Sequence, residues 1–394
     1  MELDSSATTE RLYYQDCYQT EFEARVVDRG QSGCRIYLDR SAFYPASGGQ
    51  PNDLGTLAGQ LIVDVIDEDS RVAHVIEHPL TAEFVLGRID WARRYDHMQQ
   101  HTGQHLLSAV FVELFGFRTV SFHMGSEVST IELAAKEIAG AQLEEAEQRA
   151  NNLVREARSV RIDFQDAESV QGLRKPSQRS GTLRVVEIEG VDRSACGGTH
   201  VRSTAELGPI QIRRTEKIRS NTRLEFVCGA RASRRAKQDF QILLELARQS
   251  ATPIDKVPEY FSAVRDKLAE AEKEKRRLLL AVARQEGEVV YDSTAPSNDG
   301  LRRVRLAGGQ VDDALRAKVQ AITDRGKAVV LAIAEDVPGV LIACSADTGL
   351  NAGTILKEAL SEVGGRGGGS AVLAQGSLPG PEVAHALAKA LGFD

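Results

Sequence analysis

The sequence predicts an α+β fold in several domains, and three observations predict it. Strand-like segments separated by turns dominate residues 11–76. An apolar stripe at helical spacing follows, with further strands and helices behind it. A region rich in Ala, Leu, Lys, Arg and Glu then precedes a tail in which apolar strands and helices alternate. A chain of 394 residues is also long enough for two or three separate cores.

The first predicted domain, residues 1–90, is a β-barrel-like module. Residues 22–27 and 34–38 alternate in polarity or carry β-branched and aromatic side chains, which is typical of strands. Glycines in the stretch 43–51 mark a turn. Short strands joined by such turns indicate a small barrel.

The second predicted domain, residues 91–232, mixes helices and strands. Leu107, Val110, Phe111 and Leu114 form one apolar stripe, which predicts a helix over residues 95–116. A charged helix and several strands follow, with the helix near residues 141–158 and the strands near 119–133, 183–188, 210–214 and 224–227.

The third and fourth predicted domains are a helical linker, residues 233–292, and a small α/β domain, residues 293–394. Apolar residues of the linker recur three and four apart, which favours a long helix or a short antiparallel coiled coil. A solvated spacer and a dimer seam both fit this pattern. The tail predicts strands at 328–334 and 339–343, and helices at 354–363 and 382–391 around the glycine-rich residues 364–369.

Composition excludes some classes of function. The formal net charge is −7, so contacts with nucleic acid must come from local basic patches. The five scattered cysteines indicate a reducing compartment rather than a disulfide framework. The acidic N-terminus and the lack of long apolar runs predict a cytoplasmic protein with no membrane partner.

Histidines 97, 101 and 105 lie four residues apart on the predicted helix of the second domain. Such spacing puts two neighbouring imidazoles on one face. All three would span roughly 12 Å of helix, so at most two can bind one tetrahedral ion. His97 lies nearest the border of the apolar stripe, where a buried core histidine is the simpler interpretation.

A second candidate pair, Cys196 and His200, flanks a Gly-Gly turn. Two histidines from a helix and a Cys/His pair from a loop match the nitrogen and sulfur ligands that zinc prefers. Asp192, just upstream, either orients a ligand imidazole or is a surface carboxylate. The sequence therefore predicts a Zn²⁺ site and leaves the role of Asp192 open.

Several segments resemble one family. Residues 101–107 (HTGQHLL) and 196–201 (CGGTHV) are similar to the two metal-binding motifs of the alanyl-tRNA synthetase editing domain. Residues 43–55 resemble the glycine-rich motif of the adjoining barrel, and residues 367–376 resemble the C-terminal domain. Order and spacing agree over nearly the whole chain, which identifies it as similar to the long, free-standing AlaX editing proteins.

The resemblance implies that His101, His105, Cys196 and His200 bind Zn²⁺. It implies trans-editing hydrolysis of tRNA(Ala) mischarged with serine, and in some members with glycine, by an editing domain within residues 91–232. Zinc would either activate water or only position the tRNA end, and the sequence does not decide between them. The linker and C-terminal domain would serve homodimerisation, tRNA contact, or both.

Four further residues are candidates for the reaction site. Ser121 lies on one strand face with Thr119 and His123, and its hydroxyl would recognise the serine side chain of the substrate. A partly exposed strand face explains these residues equally well. Gly48, Gly49 and Gln50 would form a loop that approaches the ribose or the ester, although an ordinary hairpin turn also explains the two glycines.

A basic cluster would contact tRNA phosphates or simply form a solvated face. Its predicted nucleic-acid-binding members are Arg213, Arg214, Lys217, Arg219 and Arg223, with Arg231, Arg234, Arg235 and Lys237 shortly after.

Two alternative functions stay open: editing of another mischarged tRNA such as Ser-tRNA(Thr), and a non-catalytic zinc-containing tRNA-binding protein. A phosphodiesterase of the Asp-His-His type is disfavoured, because Met98 follows Asp96-His97 and no further aspartate motifs support two metals. A zinc protease is disfavoured because the chain has no His-Glu-x-x-His motif.

Overall fold

A computed structural model of the chain describes residues 8–30, 32–176, 180–334, 336, 339–363, 365–377, 388 and 393. By its internal contacts the chain divides into two units, Met1–Glu245 and Leu246–Asp394. The division into four domains that the sequence predicts is finer than this and stays a prediction. In the described part of the chain, none of the helices has the length and apolar character needed to cross a membrane.

The N-terminal part of the first unit contains a sheet closed on itself and a separate two-stranded sheet. Its strands are β1 (Glu10–Arg11), β2 (Glu21–Arg29), β3 (Arg35–Leu38), β4 (Arg40–Ser41), β5 (Gly55–Leu57), β6 (Gln60–Glu68), β7 (Arg71–Ile76) and β8 (Phe84–Ile89). Six of them close into a barrel in the order β2-β3-β7-β6-β5-β8, and β1 pairs with β4 in the two-stranded sheet. Alternate residues of β2, beginning Phe22 and Ala24, point into the barrel core as the period of two requires.

The helix α1 (Trp91–Phe115) follows the barrel directly. The side chain of Asp90 caps its N-terminus by accepting a hydrogen bond from the Arg93 amide, and Gly116 ends it in the left-handed conformation. Every residue of α1 between His97 and Phe111 is buried. The polar side chains of its middle turns are therefore held inside the protein, where each needs a partner.

The rest of the first unit surrounds α1. Its elements are β9 (Thr119–Met124), β10 (Ser129–Leu133), α2 (Gly140–Arg155), β11 (Val160–Asp166), β12 (Thr182–Ile188), β13 (Asp192–Ala195), β14 (Ile210–Ile218), β15 (Asn221–Cys228) and α3 (Ala230–Gln249). One sheet has the order β14-β15-β10-β9 and another the order β11-β12-β13. Helix α1 contacts both sheets and α2, so it forms the centre of the main core.

Arg94 joins the barrel to α1. Its guanidinium pairs with the carboxylate of Asp53, and both side chains are fully buried. It also donates hydrogen bonds to the carbonyls of Cys17 at 2.9 Å and Ala42 at 2.5 Å. The glycine-rich segment that contains Asp53 is thereby anchored to the first turn of α1.

Within the described residues, the second unit combines helices with one five-stranded sheet. Its elements are α4 (Val257–Ser293), β16 (Arg302–Gly308), α5 (Asp313–Asp324), β17 (Ala328–Ala334), β18 (Gly339–Cys344), α6 (Ala352–Val363), β19 (Arg366–Gly369) and β20 (Leu373–Ser377). The sheet has the order β16-β17-β18-β20-β19, in which only the β16–β17 pair is parallel. Strands β17 and β18 are buried along their whole length.

The observed elements differ from the sequence predictions in two places. The helical linker predicted over residues 233–292 lies in two helices, α3 and α4, which excludes the single long helix; the chain between them contains Pro253, which cannot continue a helix interior. The glycine-rich residues 364–369, for which the sequence predicts no element, include the strand β19. The helix predicted over residues 382–391 lies outside the described residues, apart from Ala388.

Candidate metal centre

The structure brings four predicted metal ligands together. His101 and His105 project from successive turns of α1, and Cys196 and His200 lie in the loop after β13. One side-chain nitrogen or sulfur atom of each lies within 4.8 Å of those of the others. The three histidines are buried and Cys196 is partly exposed.

Each imidazole is oriented through its Nδ1 atom. The Nδ1 of His101 lies 2.8 Å from the Gln50 Oε1, and that of His105 lies 2.8 Å from the Asp192 carboxylate. These two partners accept hydrogen bonds, so Nδ1 carries the proton in both rings. In the neutral form of each ring the Nε2 atom is then unprotonated, as a metal ligand requires.

His200 is held in the same way from α1. Its Nδ1 lies 3.0 Å from the hydroxyl oxygen of Thr102, which also accepts a hydrogen bond from the Val201 amide. Its Nε2 lies 3.3 Å from the sulfur of Cys196, and the His101 Nε2 lies 3.4 Å from that sulfur. Three imidazoles thus direct Nε2 toward one thiolate, a donor set that fits a tetrahedral metal such as zinc.

The charges in the cluster support a thiolate. Burial opposes the ionisation of Cys196, but the imidazoles of His101 and His200 outweigh it and hold the pKa of the thiol well below its ordinary value. Burial lowers the pKa of His200 to about 3, so this ring is neutral. Metal ions bind deprotonated cysteine and neutral histidine, and the cluster presents both at Cys196 and His200.

Asp192 belongs to the site. Its side chain is buried, which excludes the surface alternative. Arg174 donates a hydrogen bond of 2.6 Å to the carboxylate oxygen that is not bonded to His105. Burial acts against the charge, yet the hydrogen bond with His105 and the positive charge of Arg174 lower the pKa of Asp192 to about 2. The same hydrogen bond, with the nearby thiolate of Cys196, overcomes burial and raises the pKa of His105 to about 9.

The Gly197-Gly198 turn lets the Cys/His loop approach α1 closely. A Cβ atom on Gly198 would overlap the imidazole of His101, whereas a Cβ on Gly197 would lie 3.5 Å from its nearest neighbour, the Tyr14 hydroxyl. The Gly198 amide also lies 3.4 Å from the Cys196 sulfur. Only the second glycine is therefore required by the packing of the site.

The loop of residues 48–50 reaches the cluster from the barrel. Gln50 is 2% exposed and joins His101 to Thr199, whose hydroxyl accepts a hydrogen bond of 2.9 Å from the Gln50 amide. Gly49 has a positive φ of 85°, and a Cβ there would lie 2.6 Å from the Phe122 carbonyl on β9. Gly48 lines a cavity beside the cluster.

The structure does not bring Ser121 to the cluster. In the register of β9 and β10, Ser121 lies opposite Glu132, while the neighbouring Phe122 lies opposite the buried Ile131. Ser121 is therefore on the face of the sheet away from α1, where its hydroxyl bonds to the Glu132 carboxylate at 3.2 Å. It is Phe122 that stacks on His101, at a ring separation of 5.4 Å.

His97 lies outside the four-residue cluster, although it is buried. Its Nδ1 atom has no hydrogen-bond partner within the described part of the chain. Burial, followed by the charge of Arg93, lowers its pKa to about 3, so the ring is neutral. This placement agrees with the core histidine that its position on the helix suggested.

The five predicted nucleic-acid-binding residues lie on the hairpin of β14 and β15. Arg213 and Arg214 form ion pairs with Asp239 and Glu225, at 2.6 and 2.8 Å. Arg223 pairs more loosely with Glu216, at 3.7 Å. Lys217 is on β14, and Arg219 occupies the turn between the strands with a φ of 55°.

Arg213 and Arg214 also line a recess of about 430 Å³ at the start of α3. The other arginines that line it are Arg231, Arg234 and Arg235, and its carboxylates are Glu127 and Glu225. The hairpin and α3, which are separate in sequence, thus form one predominantly basic surface.

A larger cavity, of about 920 Å³, opens beside the cluster. His101, Cys196, Gly197 and Gly198 form part of its wall. The remaining wall comes from the barrel and from the β11-β12-β13 sheet, and it consists of Arg11, Tyr13, Tyr14, Tyr44, Pro45, Ser47, Gly48, Asp67, Asp69, Phe164, Thr182, Leu183, Arg184 and Ala195. A substrate in this cavity would touch both the metal ligands and the glycine-rich loop.

Sequence reasoning missed several residues that support the ligands. Thr102 and Thr199 lie inside the two metal-binding motifs, so their place beside the ligands could have been found. Arg174 and Arg184 lie outside the motifs. Arg184 is on β12, which pairs with β13, and Arg174 is in the loop before β12, where its amide donates a hydrogen bond to the Arg193 carbonyl.

Comparison with known proteins shows what this chain is similar to. A family model described as the threonyl and alanyl tRNA synthetase second additional domain matches residues 183–224, and a DHHA1 domain model matches residues 307–392. The alanine–tRNA ligase of Pyrococcus abyssi is 34% identical over 94% of this chain, which spans only 42% of the ligase. An alanyl-tRNA editing protein of Xenopus laevis, Aarsd1-A, is 37% identical over 55% of this chain and 58% of its own length.

One relative matches over its whole architecture. The alanyl-tRNA editing protein AlaX-L of Pyrococcus horikoshii is 31% identical over 94% of this chain and 94% of its own length. The match includes the segments that hold the helical histidines and the Cys/His loop. The chain belongs to the family of alanyl-tRNA editing proteins.

Proposed function

We propose that this protein is an aminoacyl-tRNA hydrolase that acts in trans on mischarged tRNA(Ala). The observation that carries the proposal is the cluster of His101, His105, Cys196 and His200, of which His101 and Cys196 line an open cavity. The kinship with proteins named for alanyl-tRNA editing gives the substrate class. The bond broken is the ester between the amino acid and the terminal ribose.

We propose Zn²⁺ as the metal, held by those four side chains. Their donor set and their Nδ1 hydrogen bonds leave three Nε2 atoms and one thiolate directed at a common point. When bound, zinc would polarise a carbonyl and lower the pKa of water. A metal with a preference for oxygen ligands fits this set poorly.

The protein's own residues position the metal site and the substrate. Gln50 fixes the His101 ring and the Thr199 backbone at once, so the barrel loop and the Cys/His turn share one arrangement. Gly48 exposes backbone to the cavity, where a ribose or an ester can approach closely. Because Ser121 lies on the far face of its sheet, we propose that recognition of the amino acid takes place at the cavity wall.

We propose seryl-tRNA(Ala) as the main substrate and glycyl-tRNA(Ala) as a second one. Both side chains are small, and the cavity beside Cys196 carries the hydroxyl groups of Tyr14 and Ser47 that a serine side chain can bond. Correctly charged alanyl-tRNA(Ala) should be hydrolysed more slowly than seryl-tRNA(Ala), since an alanine side chain leaves those polar groups unpaired.

Deacylation assays test the function directly. The wild-type protein should release serine and glycine from tRNA(Ala). Cys196→Ala should lose the metal, and its activity should fall by at least the roughly 10–100-fold that follows removal of a group that orients a metal ligand. Cys34→Ala is the matched control, since Cys34 is a partly exposed cysteine of the barrel outside the cluster. Full activity of metal-free, folded protein would exclude the proposed role of the metal.

Two other functions are outcomes of the same assay. The family model that matches residues 183–224 covers threonyl as well as alanyl synthetase domains, so seryl-tRNA(Thr) must be compared with seryl-tRNA(Ala). Faster cleavage of the threonine tRNA would make the protein an editor of that tRNA. Tight RNA binding without turnover on either substrate would identify a non-catalytic zinc protein.

We propose that the basic surface of the hairpin and α3 contacts the phosphates of the tRNA. Five arginines line its recess against two carboxylates, in a chain whose net charge is −7. Phosphate contacts give affinity and a strong salt dependence without base identity. Replacing Arg214 and Arg234 by Ala should weaken binding of any tRNA and flatten its salt dependence; an unchanged slope would exclude this surface.

We propose that the protein forms a homodimer through α4 and the C-terminal domain. A stripe of exposed apolar residues runs along α4 at the three-four spacing of a coiled coil. Its members, hereafter the α4 stripe, are Tyr260, Phe261, Val264, Leu268, Leu278, Leu279, Val282 and Val289. A second copy of the same stripe is the partner that this spacing fits.

A further inference from the structure

The cavity beside Cys196 contains an exposed aromatic side chain whose position is unusual. Phe164, on β11, is 48% exposed and lines the cavity. Single exposed apolar residues are common and need no explanation. Phe164 is different because the preceding β11 residues on the same face of the sheet pack into the main core.

The register of β11 and β12 shows this. Val160 lies opposite the buried Ile188, Ile162 lies opposite the buried Val186, and both pack into the main core. Phe164 is the next residue on that face, since side chains alternate with a period of two. The apolar face thus continues beyond the edge of the core into the cavity, where no other described apolar layer covers the ring.

Phe164 lies in one row with the metal ligand Cys196. It is directly opposite Arg184 on β12, and the Cys196 amide donates a hydrogen bond of 3.0 Å to the Arg184 carbonyl. Residues opposite each other in a sheet point to the same side. Two strand spacings therefore separate Phe164 from Cys196, roughly 10 Å, a distance comparable to the extent of an aminoacylated nucleoside.

The arginines of the cavity are already engaged within the protein. Arg184 is 7% exposed and donates hydrogen bonds to the carbonyls of Tyr14 and Cys196. Arg11 forms an ion pair with Asp67, which also lines the cavity. This recess holds two arginines, Arg11 and Arg184, against two carboxylates, Asp67 and Asp69, and such a balance suits an uncharged aromatic group better than a phosphate.

We propose that Phe164 is the stacking platform for the terminal base of the acylated RNA. Stacking there places the nucleoside along the Phe164–Arg184–Cys196 row, with its ester at the metal ligands. Aromatic side chains bind unpaired bases in this way because every base has an apolar face. This inference rests on the proposed function, since it takes the cavity to be the site of the RNA end.

A double-mutant cycle between the protein and the RNA tests the proposal. The probe is an uncharged acceptor-stem minihelix, either natural or with an abasic terminal nucleotide, and the readout is its Kd. Phe164→Ala should weaken binding of the natural RNA by about fivefold to a hundredfold, the range for one stacked base. Removing the base should have the same effect on the wild type and little further effect on the variant.

Two further variants keep the result interpretable. Phe164→Tyr preserves the ring and should retain wild-type affinity, and Phe84→Ala removes a ring that is 73% exposed on the barrel and should change nothing. With seryl minihelix as substrate, Phe164→Ala should raise KM far more than it lowers kcat.

Equal weakening of natural and abasic RNA by Phe164→Ala would overturn the proposal. The proposed function fails separately, if the wild-type protein does not deacylate any of the aminoacyl-tRNAs. The binding cycle uses uncharged RNA, so its result does not depend on hydrolysis.

Discussion

Gly198 is the residue at which the two halves of the metal site touch. Its hydrogen in place of a side chain allows the Cys/His turn to lie against the His101 ring and the Gln50 amide. Its neighbour Gly197 faces a more open space and has no such constraint. A glycine can therefore be replaced by alanine at two adjacent positions, one inside the packed site and one outside it.

We predict that Gly198→Ala lowers metal affinity by roughly 10–100-fold, comparable to the loss of a group that orients a ligand. The added methyl group must displace His101, and with it the Nε2 atom that points at Cys196. Zinc affinity, measured by competition with a chelating dye, should change little in Gly197→Ala. Equal affinities of the two variants would mean that the turn can move away without cost.

At this scale the sequence predicted the ligands better than their neighbours. His101, His105, Cys196 and His200 stand in short motifs whose residue types are those that zinc selects, so their proximity followed from chemistry. Ser121 was chosen from strand alternation, which separates two faces but does not say which one meets α1. The register with β10 decides that, and it depends on contacts remote in sequence.

Helix α1 shows the same limit at the scale of an element. Its existence followed from the apolar stripe, but the burial of all its middle turns did not. A helical projection compares one face with another, and here every face is covered by a sheet, a helix or the Cys/His loop. Polar residues such as Gln100 and Thr102 are inside because each has a partner, which no periodicity can reveal.

The junction of the barrel with α1 depends on the buried Arg94–Asp53 pair. Three groups from three segments, the Asp53 carboxylate and the carbonyls of Cys17 and Ala42, converge on this guanidinium. Removing one partner of a buried ion pair leaves the other charge without compensation. The position of the glycine-rich loop relative to α1 is therefore coupled to the stability of the barrel junction.

We predict that Arg94→Leu lowers the free energy of unfolding of the first unit by about 3–5 kcal/mol. Arg88→Leu, which breaks the exposed pair with Glu21, should cost less than about 1 kcal/mol. Urea unfolding in the presence of a chelator, followed by the fluorescence of the single tryptophan, Trp91, reports on this junction. Similar midpoints for the two variants would show that the buried pair is dispensable.

At the scale of the whole molecule, the sequence predicts strands, then mixed elements, then helix, then a mixed tail, and the described elements follow that order because each change of pattern along the chain is strong. The sequence did not decide between one long helix and two shorter ones around Pro253, since Ala, Leu, Lys, Arg and Glu favour helix on both sides. Nor could it determine what covers the apolar residues of the linker. That depends on assembly.

The α4 stripe carries the prediction for assembly. Its members at 261, 264, 268, 278 and 282 share one heptad spacing, and Ala271 and Lys275 occupy the two positions of that spacing between 268 and 278. A single polar residue in such a seam lowers stability while it specifies register. A homodimer through this seam should therefore be weakened by added charge and strengthened by removal of Lys275.

We expect Leu268→Glu to weaken the dimer more than about tenfold, because it places a charge in an apolar contact, and Lys275→Leu to tighten it. Leu61→Glu is the matched control, since Leu61 on the barrel is 57% exposed and Leu268 is 58% exposed. Sedimentation velocity over a range of concentrations measures the dimer affinity of the wild type and of the three variants. A wild-type chain that stays monomeric, or an equal effect of the two glutamates, would exclude the seam and leave the α4 stripe to a different partner.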